Sequence, residues 1–395
     1  MLVIRKFNTP CPSCGRIGTY GNVSVNVATL IRGCGFCNHR EVLQLPKLKK
    51  KIIYLDQFFL SHAFRDNKPE FVSAAERIVS LSKKQIIVCP WSRIHDLETH
   101  LWRHTEQEKL WSFIKQISRG NQFSPPESIK SLQVQRAFDY FIPSSERKDV
   151  LGERDALRRD VHSWDNYIYV EVGSMKDNID LIRKEKEEST DALVKLFDTW
   201  VSKPKSFEED RIEEATGYAK VFVELYIQAV EAYSKGDIDG YLNTSADSAI
   251  IQLLMHRDQE TMNMQERFNR MGKFLSSANF REIPFVDLSS LIYAVLRGRV
   301  RSGEFANRDK AKNRLSGLFY DIQAISMYGP YCHAMFIDKP MYEWLKKYKE
   351  YLATNYSLCM FSAASWGSFH QYLDSLEAEC PEEVLKMLDV VYPMA

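Results

Sequence analysis

Four cysteines and a scattered set of acids are the residues whose types and spacing could do chemistry in this chain of 395 residues. Cys11 and Cys14 form one C-x2-C pair in CPSCG, and Cys34 and Cys37 form a second in CGFCN. Two such pairs a short span apart match the tetrahedral all-thiolate pattern of structural zinc, which leaves no open position for catalysis. Gly15 and Gly35, beside the two knuckles, are expected to permit the tight turns that aim the thiolates at one ion. The intervening YGNVSVNVATLIRG alternates like short strands about a Gly-Asn turn. Residues 1–47 are therefore expected to be a zinc ribbon. So short a segment builds little core, and metal binding should supply most of its folding energy.

The acids follow apolar runs. In KIIYLDQFFLSHAF, Asp56 ends the β-branched and aromatic run Ile52–Leu55, and helix-like spacing begins after Gln57. Asp338 ends CHAMFID in the same way. Glu98 lies in the helical pattern PWSRIHDLETHLWRH, and Asp321 in LFYDIQAIS among residues that face a core. His95 is one turn from Glu98 on the same helix face, whereas Asp96 points elsewhere. An aspartate at a strand end is either a helix N-cap or a ligand. Four carboxylates brought to one sheet edge could not all stay ionised without a cation, and hard oxygen ligands suit Mg2+ or Mn2+. His95 has two readings: a group holding the scissile phosphate or leaving group, or a helix-start histidine bonded to backbone.

These residues need elements to position them. The basic stretch LPKLKKK leads into a strand at 51–55, a helix begins near Pro69, QIIVCP (85–90) is a second strand, and Pro90 opens the next helix. Strand, helix, strand, helix begins a parallel α/β sheet, whose functional groups collect at the carboxyl ends of its strands. From about 104 to 283 the pattern is amphipathic helix throughout, with breaks at KPKSFEED and Gly236. The α/β pattern resumes from 284, with strands expected at 332–338 and 356–362. The expected organisation is a zinc ribbon (1–47), a first α/β part (50–103), an all-helical insertion (104–283), and a second α/β part with C-terminal helices (284–395).

Composition excludes some function classes. The net charge is +1, so any nucleic-acid surface must be a local patch. RGRVRSG (Arg297, Arg299, Arg301) and NRDKAKNR (Arg308, Lys310, Lys312, Arg314) are read either as that patch or as a solvated basic face. No apolar run approaches the ~20 residues of a membrane span, and the N-terminus lacks signal-peptide features. The expectation is a soluble cytoplasmic protein without a membrane partner. Cys89, Cys332, Cys359 and Cys380 read as small buried residues.

A strand-end aspartate, a glutamate after the second strand, an aspartate in D-I-x-x-I and an h-h-D strand end together resemble the PIN-like nuclease domain. The resemblance covers about 50–103 and 284–378. It implies a three-layer α/β/α fold with a parallel sheet, here interrupted by the helical insertion. It also implies a metal-dependent nuclease, with Asp56, Glu98, Asp321 and Asp338 as catalytic ligands of Mg2+ or Mn2+, RNA favoured over DNA as substrate, and a role in a bacterial toxin or phage-defence system. The ribbon would grip the substrate or a partner, and the insertion could contact a protein. Gln57, Ile337 and His333 depart from the family pattern. They favour the alternative of a non-catalytic nucleic-acid- or protein-binding adaptor with a degenerate PIN-like fold.

Overall fold

Eight strands, among the described residues, form two separate sheets. The structure is a computed structural model that describes residues 7–100, 104–143, 151–165, 179–242, 246–257 and 262–392. Strands β1 (Phe7–Thr9), β2 (Tyr20–Val25), β3 (Thr29–Cys34) and β4 (Arg40–Gln44) make an antiparallel sheet in the order 1-2-3-4. Strands β5 (Lys51–Leu55), β6 (Ile87–Val88), β7 (Ala334–Phe336) and β8 (Cys359–Phe361) make a parallel sheet in the order 6-5-7-8. The runs at 52 and 335 are thus neighbours, with Ile53 opposite Ala334 and Leu55 opposite Phe336.

Period-two alternation divides the parallel sheet between two cores. Ile53, Leu55, Ala334, Phe336 and Phe361 face helices Gln57–Phe64, Pro69–Lys83, His104–Ser118 and Trp366–Ala378. Phe336 is fully buried there, with ring centroids 5.1 Å from Phe59, 4.8 Å from Trp366 and 5.0 Å from Phe369. Burying such a ring stabilises by roughly 1.5–3 kcal/mol. Ile52, Tyr54, Met335 and Met360 face the other way, into a core shared with helices Pro126–Phe141, Phe207–Ser234, Pro284–Arg301 and Leu318–Tyr328. The helical block therefore covers one face of the sheet. Helix His104–Ser118, expected at the start of the insertion, packs through Leu110, Ile114 and Ile117 beneath the opposite face.

Buried ion pairs clamp the block to helix Pro284–Arg301. Asp287 accepts hydrogen bonds from Arg211, from Tyr351 at 2.6 Å and from Tyr356 at 2.5 Å. Asp210 lies between Arg297 and Arg301. The antiparallel sheet is closed by the last described helix, Glu382–Val391, whose Val384 and Val391 pack with Val25, Leu30, Leu45, Leu48 and Trp164. The Asn22 side-chain amide donates to the carbonyls of Val390 and Val391. The ribbon thus shares a core with segments far away in sequence.

The short basic linker is not wholly solvated. Lys50 is buried and donates to Asp165 at 3.1 Å. Two small corrections belong with it. Cys89 and Cys332 are buried as expected, but Cys359 is exposed on the edge strand and Cys380 is half-buried. Of the two knuckle glycines, Gly15 adopts the left-handed conformation (φ +71°), whereas Gly35 is absent from the positive-φ residues.

Candidate functional site

The two knuckles bring their sulfurs together. Cys11 Sγ lies 3.6 Å from Cys37 Sγ, and Cys14 Sγ lies 3.8 Å from Cys34 Sγ. The four ligand atoms all lie within 4.8 Å of one another. A tetrahedral ion with bonds of about 2.3 Å needs sulfurs about 3.8 Å apart, so the quartet can hold a metal such as zinc. The chain turns back on itself to allow this, as the Gly15 N–H donates to the Cys11 carbonyl at 2.9 Å. Amide groups then point at sulfur: Cys14 N to Cys11 Sγ at 3.5 Å, and Phe36 N and Cys37 N to Cys34 Sγ at 3.3 and 3.4 Å. The Cys37 amide and the Thr19 hydroxyl draw the Cys34 pKa down to about 6, which readies the thiolate a metal requires.

The second cluster sits at the carboxyl edge of the parallel sheet. The Asp56 amide extends the ladder by donating to the Phe336 carbonyl at 3.0 Å, and the Ile337 amide does the same to Phe361 at 2.9 Å. Asp56 and Asp338 thereby leave adjacent strands within one residue of the same level. Both then begin helices. Asp338 is a working N-cap whose carboxylate accepts from the Met341 amide at 2.8 Å. Asp56 occupies the N-cap position of Gln57–Phe64 without a side-chain cap hydrogen bond. Burial, and then the charges of Glu98 and Asp338, hold the Asp56 carboxyl well above the usual carboxylate range, against the pull of the Gln57 and Phe58 amides. Burial also raises Asp338, with the Met341 amide opposing it.

Glu98 reaches Asp56 because its helix, Arg93–His100, is tied to the end of β5 at two points. His95 Nε2 meets the Leu55 carbonyl at 2.7 Å, while His95 Nδ1 accepts from the Ser92 amide at 3.0 Å. The ring is therefore the Nε2–H tautomer, donating to the residue immediately before Asp56. Burial keeps it neutral and lowers its pKa to about 4. Both ring nitrogens are engaged with backbone, so of its two readings the geometry favours the backbone-bonded strut. One turn beyond, the Thr99 hydroxyl accepts from Gln57 Nε2 at 3.2 Å, leaving Gln57 Oε1 buried without a partner. Gln57, which sequence reasoning took only as a departure from a pattern, is a second tie. No signal short of the fold marks Thr99 as its partner.

Asp321 lies in the first turn of helix Leu318–Tyr328, half-buried. The other end of that helix places Tyr328 against Tyr54 of β5, with ring centroids 5.8 Å apart. The charges of Glu98 and Asp338 both act on the Asp56 carboxyl. Among the described residues, no set of three carboxylates closes to the ligand spacing of the cysteines. His333 stands at the opposite, amino edge, where its Nδ1 accepts from the Ile52 amide at 3.2 Å.

The basic residues expected along a phosphate path are mostly paired. Arg297 binds Glu213 and Glu214, Arg301 binds Asp210, Arg299 and Arg314 bind Glu304, Arg308 binds Asp198, and Lys312 binds Asp191. They join helices to one another.

Comparison with known proteins identifies no relative: no protein family, no curated protein and no solved structure matches this chain.

Proposed function

We propose that the chain is a PIN-like, metal-dependent nuclease whose reacting centre is the carboxyl edge at Asp56. The observation that carries this reading is the placement of Asp56 and Asp338 at the ends of two paired strands of one sheet edge, with the charge of Glu98, from the helix tied to the same edge, acting on Asp56. A divalent cation would offset the Glu98 and Asp338 charges that, after burial, raise the Asp56 pKa. The orphaned Gln57 Oε1 beside this junction is the kind of neutral oxygen a hard cation or its water accepts. Mg2+ keeps several waters and takes one or two carboxylates directly, so this looser spacing suits it better than a closed protein cage would. Asp56, Glu98, Asp321 and Asp338 are the acids that would hold the ion in this reading. Bound there, the ion would supply an activated water and stabilise charge on the phosphate. The chain's own contribution is to fix Asp56 rigidly, through Leu55, His95 and the ladder to β7. Zinc in the cysteine quartet is structural in this account.

The test is cleavage of end-labelled single-stranded RNA and DNA with Mg2+ or Mn2+, comparing wild type with Asp56→Asn. Metal-dependent cleavage lost in the variant is the expected result, with RNA cut in preference. Equal cleavage by both proteins, or none with either metal, overturns the reading in favour of a non-catalytic adaptor.

A further inference from the structure

Charge is segregated along this nearly neutral chain. Residues 1–51 contain nine Lys and Arg and a single acid, Glu41, while residues 52–395 contain 44 basic and 51 acidic side chains. Four thiolates about one Zn2+ would carry two negative charges, which leaves the ribbon segment strongly positive. Its cations also differ in their partners from the arginines of the helical block. Glu41 is occupied by Tyr20 at 2.5 Å and by Arg32 at 3.9 Å. Arg16, Arg40, Lys47 and Lys49 are exposed and make no ion pair among the described residues.

The surface that carries them has two sides. Strand alternation turns Leu30, Arg32 and Asn22 inward, towards helix Glu382–Val391. The other face, with Gly33 opposite Arg40 and Ile31 opposite Val42, looks outward. At its knuckle end the Arg16 guanidinium stacks 3.1 Å over the Phe36 ring, and Phe36 is still 57% exposed. The ring lies outside the ribbon core, so burial there does not account for it. An exposed aromatic ring with a stacked guanidinium, at the same end of the sheet as Arg40, offers π-surface and phosphate charge together, which is how sequence-tolerant binding of single strands works.

We propose that the knuckle end of the ribbon's outward face, centred on Arg16, Phe36 and Arg40, binds single-stranded nucleic acid. It does not depend on chemistry at Asp56. The linker enters the parallel sheet at the amino end of β5, whereas Asp56 follows its carboxyl end, about 16 Å along the strand at roughly 3.3 Å per residue.

The test is fluorescence anisotropy of a labelled 20-nucleotide oligouridylate, titrated with full-length protein in an Asp56→Asn background at several salt concentrations. The Arg16→Ala/Phe36→Ala/Arg40→Ala variant, checked for unchanged zinc content, should bind at least tenfold more weakly. Its log–log salt slope should be shallower by about 1.4, for two lost phosphate contacts on a single strand. The Arg308→Ala/Arg314→Ala variant should stay within about twofold of its parent. The proposal is overturned if the parent does not bind the oligonucleotide, if the ribbon variant binds as the parent does, or if the two variants weaken alike. Binding to phosphatidylglycerol vesicles with none to the oligonucleotide also overturns it. Binding in this background, with no metal-dependent cleavage by the wild-type protein, leaves this inference standing and removes only the nuclease reading.

Discussion

Replacing His95 by Gln tests how the carboxylate edge is built. The unfolded chain's histidine titrates near 6.5, whereas burial holds the folded one at about 4. Between those values the unfolded state binds a proton that the folded state refuses. The contribution of neutral His95 is therefore fully present above pH 6.5 and is lost as the pH falls towards 4. At about 1.4 kcal/mol per pH unit, that interval amounts to about 3 kcal/mol. This is a large part of a typical stability of roughly 5–15 kcal/mol. Glutamine offers one donor and one acceptor but no titration. At pH 7.5 it should cost about 1–3 kcal/mol, because its shorter reach leaves the Leu55 carbonyl or the Ser92 amide poorly satisfied. On acidification to pH 4 the gap between variant and wild type should close. Urea unfolding followed by tryptophan fluorescence, at half-unit steps from pH 7.5 to 4, measures that gap and cancels groups common to both proteins. A gap independent of pH, or an NMR titration of His95 with a midpoint near 6.5, would refute the buried-strut account. It would also reopen a role for this ring near neutral pH.

Other substitutions probe the two clusters. The folded protein holds the Asp56 proton more tightly than the unfolded chain does, so metal-free stability is lost as pH rises from about 4 towards the raised folded value. Asp56→Asn should therefore melt higher than wild type in metal-free buffer at pH 7.5, and Mg2+ should raise only the wild-type melting temperature; the reverse order in a thermal-shift assay defeats this electrostatic picture. At Asp338, a Ser substitution keeps an N-cap acceptor for Met341 and an Ala substitution does not. Ala should be about 1 kcal/mol less stable than Ser, both should lack cleavage, and equal stabilities would show that the cap is idle. Cys34→Ser should lower bound zinc from one equivalent to a small fraction by elemental analysis, and full retention of zinc would rule out the tetrahedral quartet.

Much of the frame was legible because local and tertiary preferences agree. The run Ile52–Leu55 is β-branched, aromatic and apolar, and forms the strand expected of it. CHAMFID and YSLCMFS keep only three ladder residues each, since their flanks turn at once into a short 3-10 turn, a helix or a cap. The cysteine pairs were legible because thiolate spacing is a local property. What could not be read depends on partners remote in the chain. Arg297 looks like a phosphate ligand until Glu213 and Glu214, more than eighty residues earlier, close on it. Helix His104–Ser118 has the same periodicity whether it caps an insertion or lies beneath a sheet, and only Leu110 against the first core decides it. His95 carried two readings because its choice rests on one backbone carbonyl forty residues away.

Strand β5 is where these remote contributions meet. At its entry the Lys50 amide donates to His162 and the Lys50 ammonium to Asp165, while the Ile52 amide donates to His333. At its exit the Leu55 carbonyl is held by His95 and the Asp56 amide by Phe336, and the next side chain, Gln57, is held by Thr99. Three separate stretches of chain thus fix one five-residue strand at both ends. Rotation or slippage of β5 would break several buried hydrogen bonds together, each costing about 1–3 kcal/mol if left unmade. Asp56 is therefore positioned by a rigid strand and not by a loop, which is the condition for a carboxylate to act from a defined place.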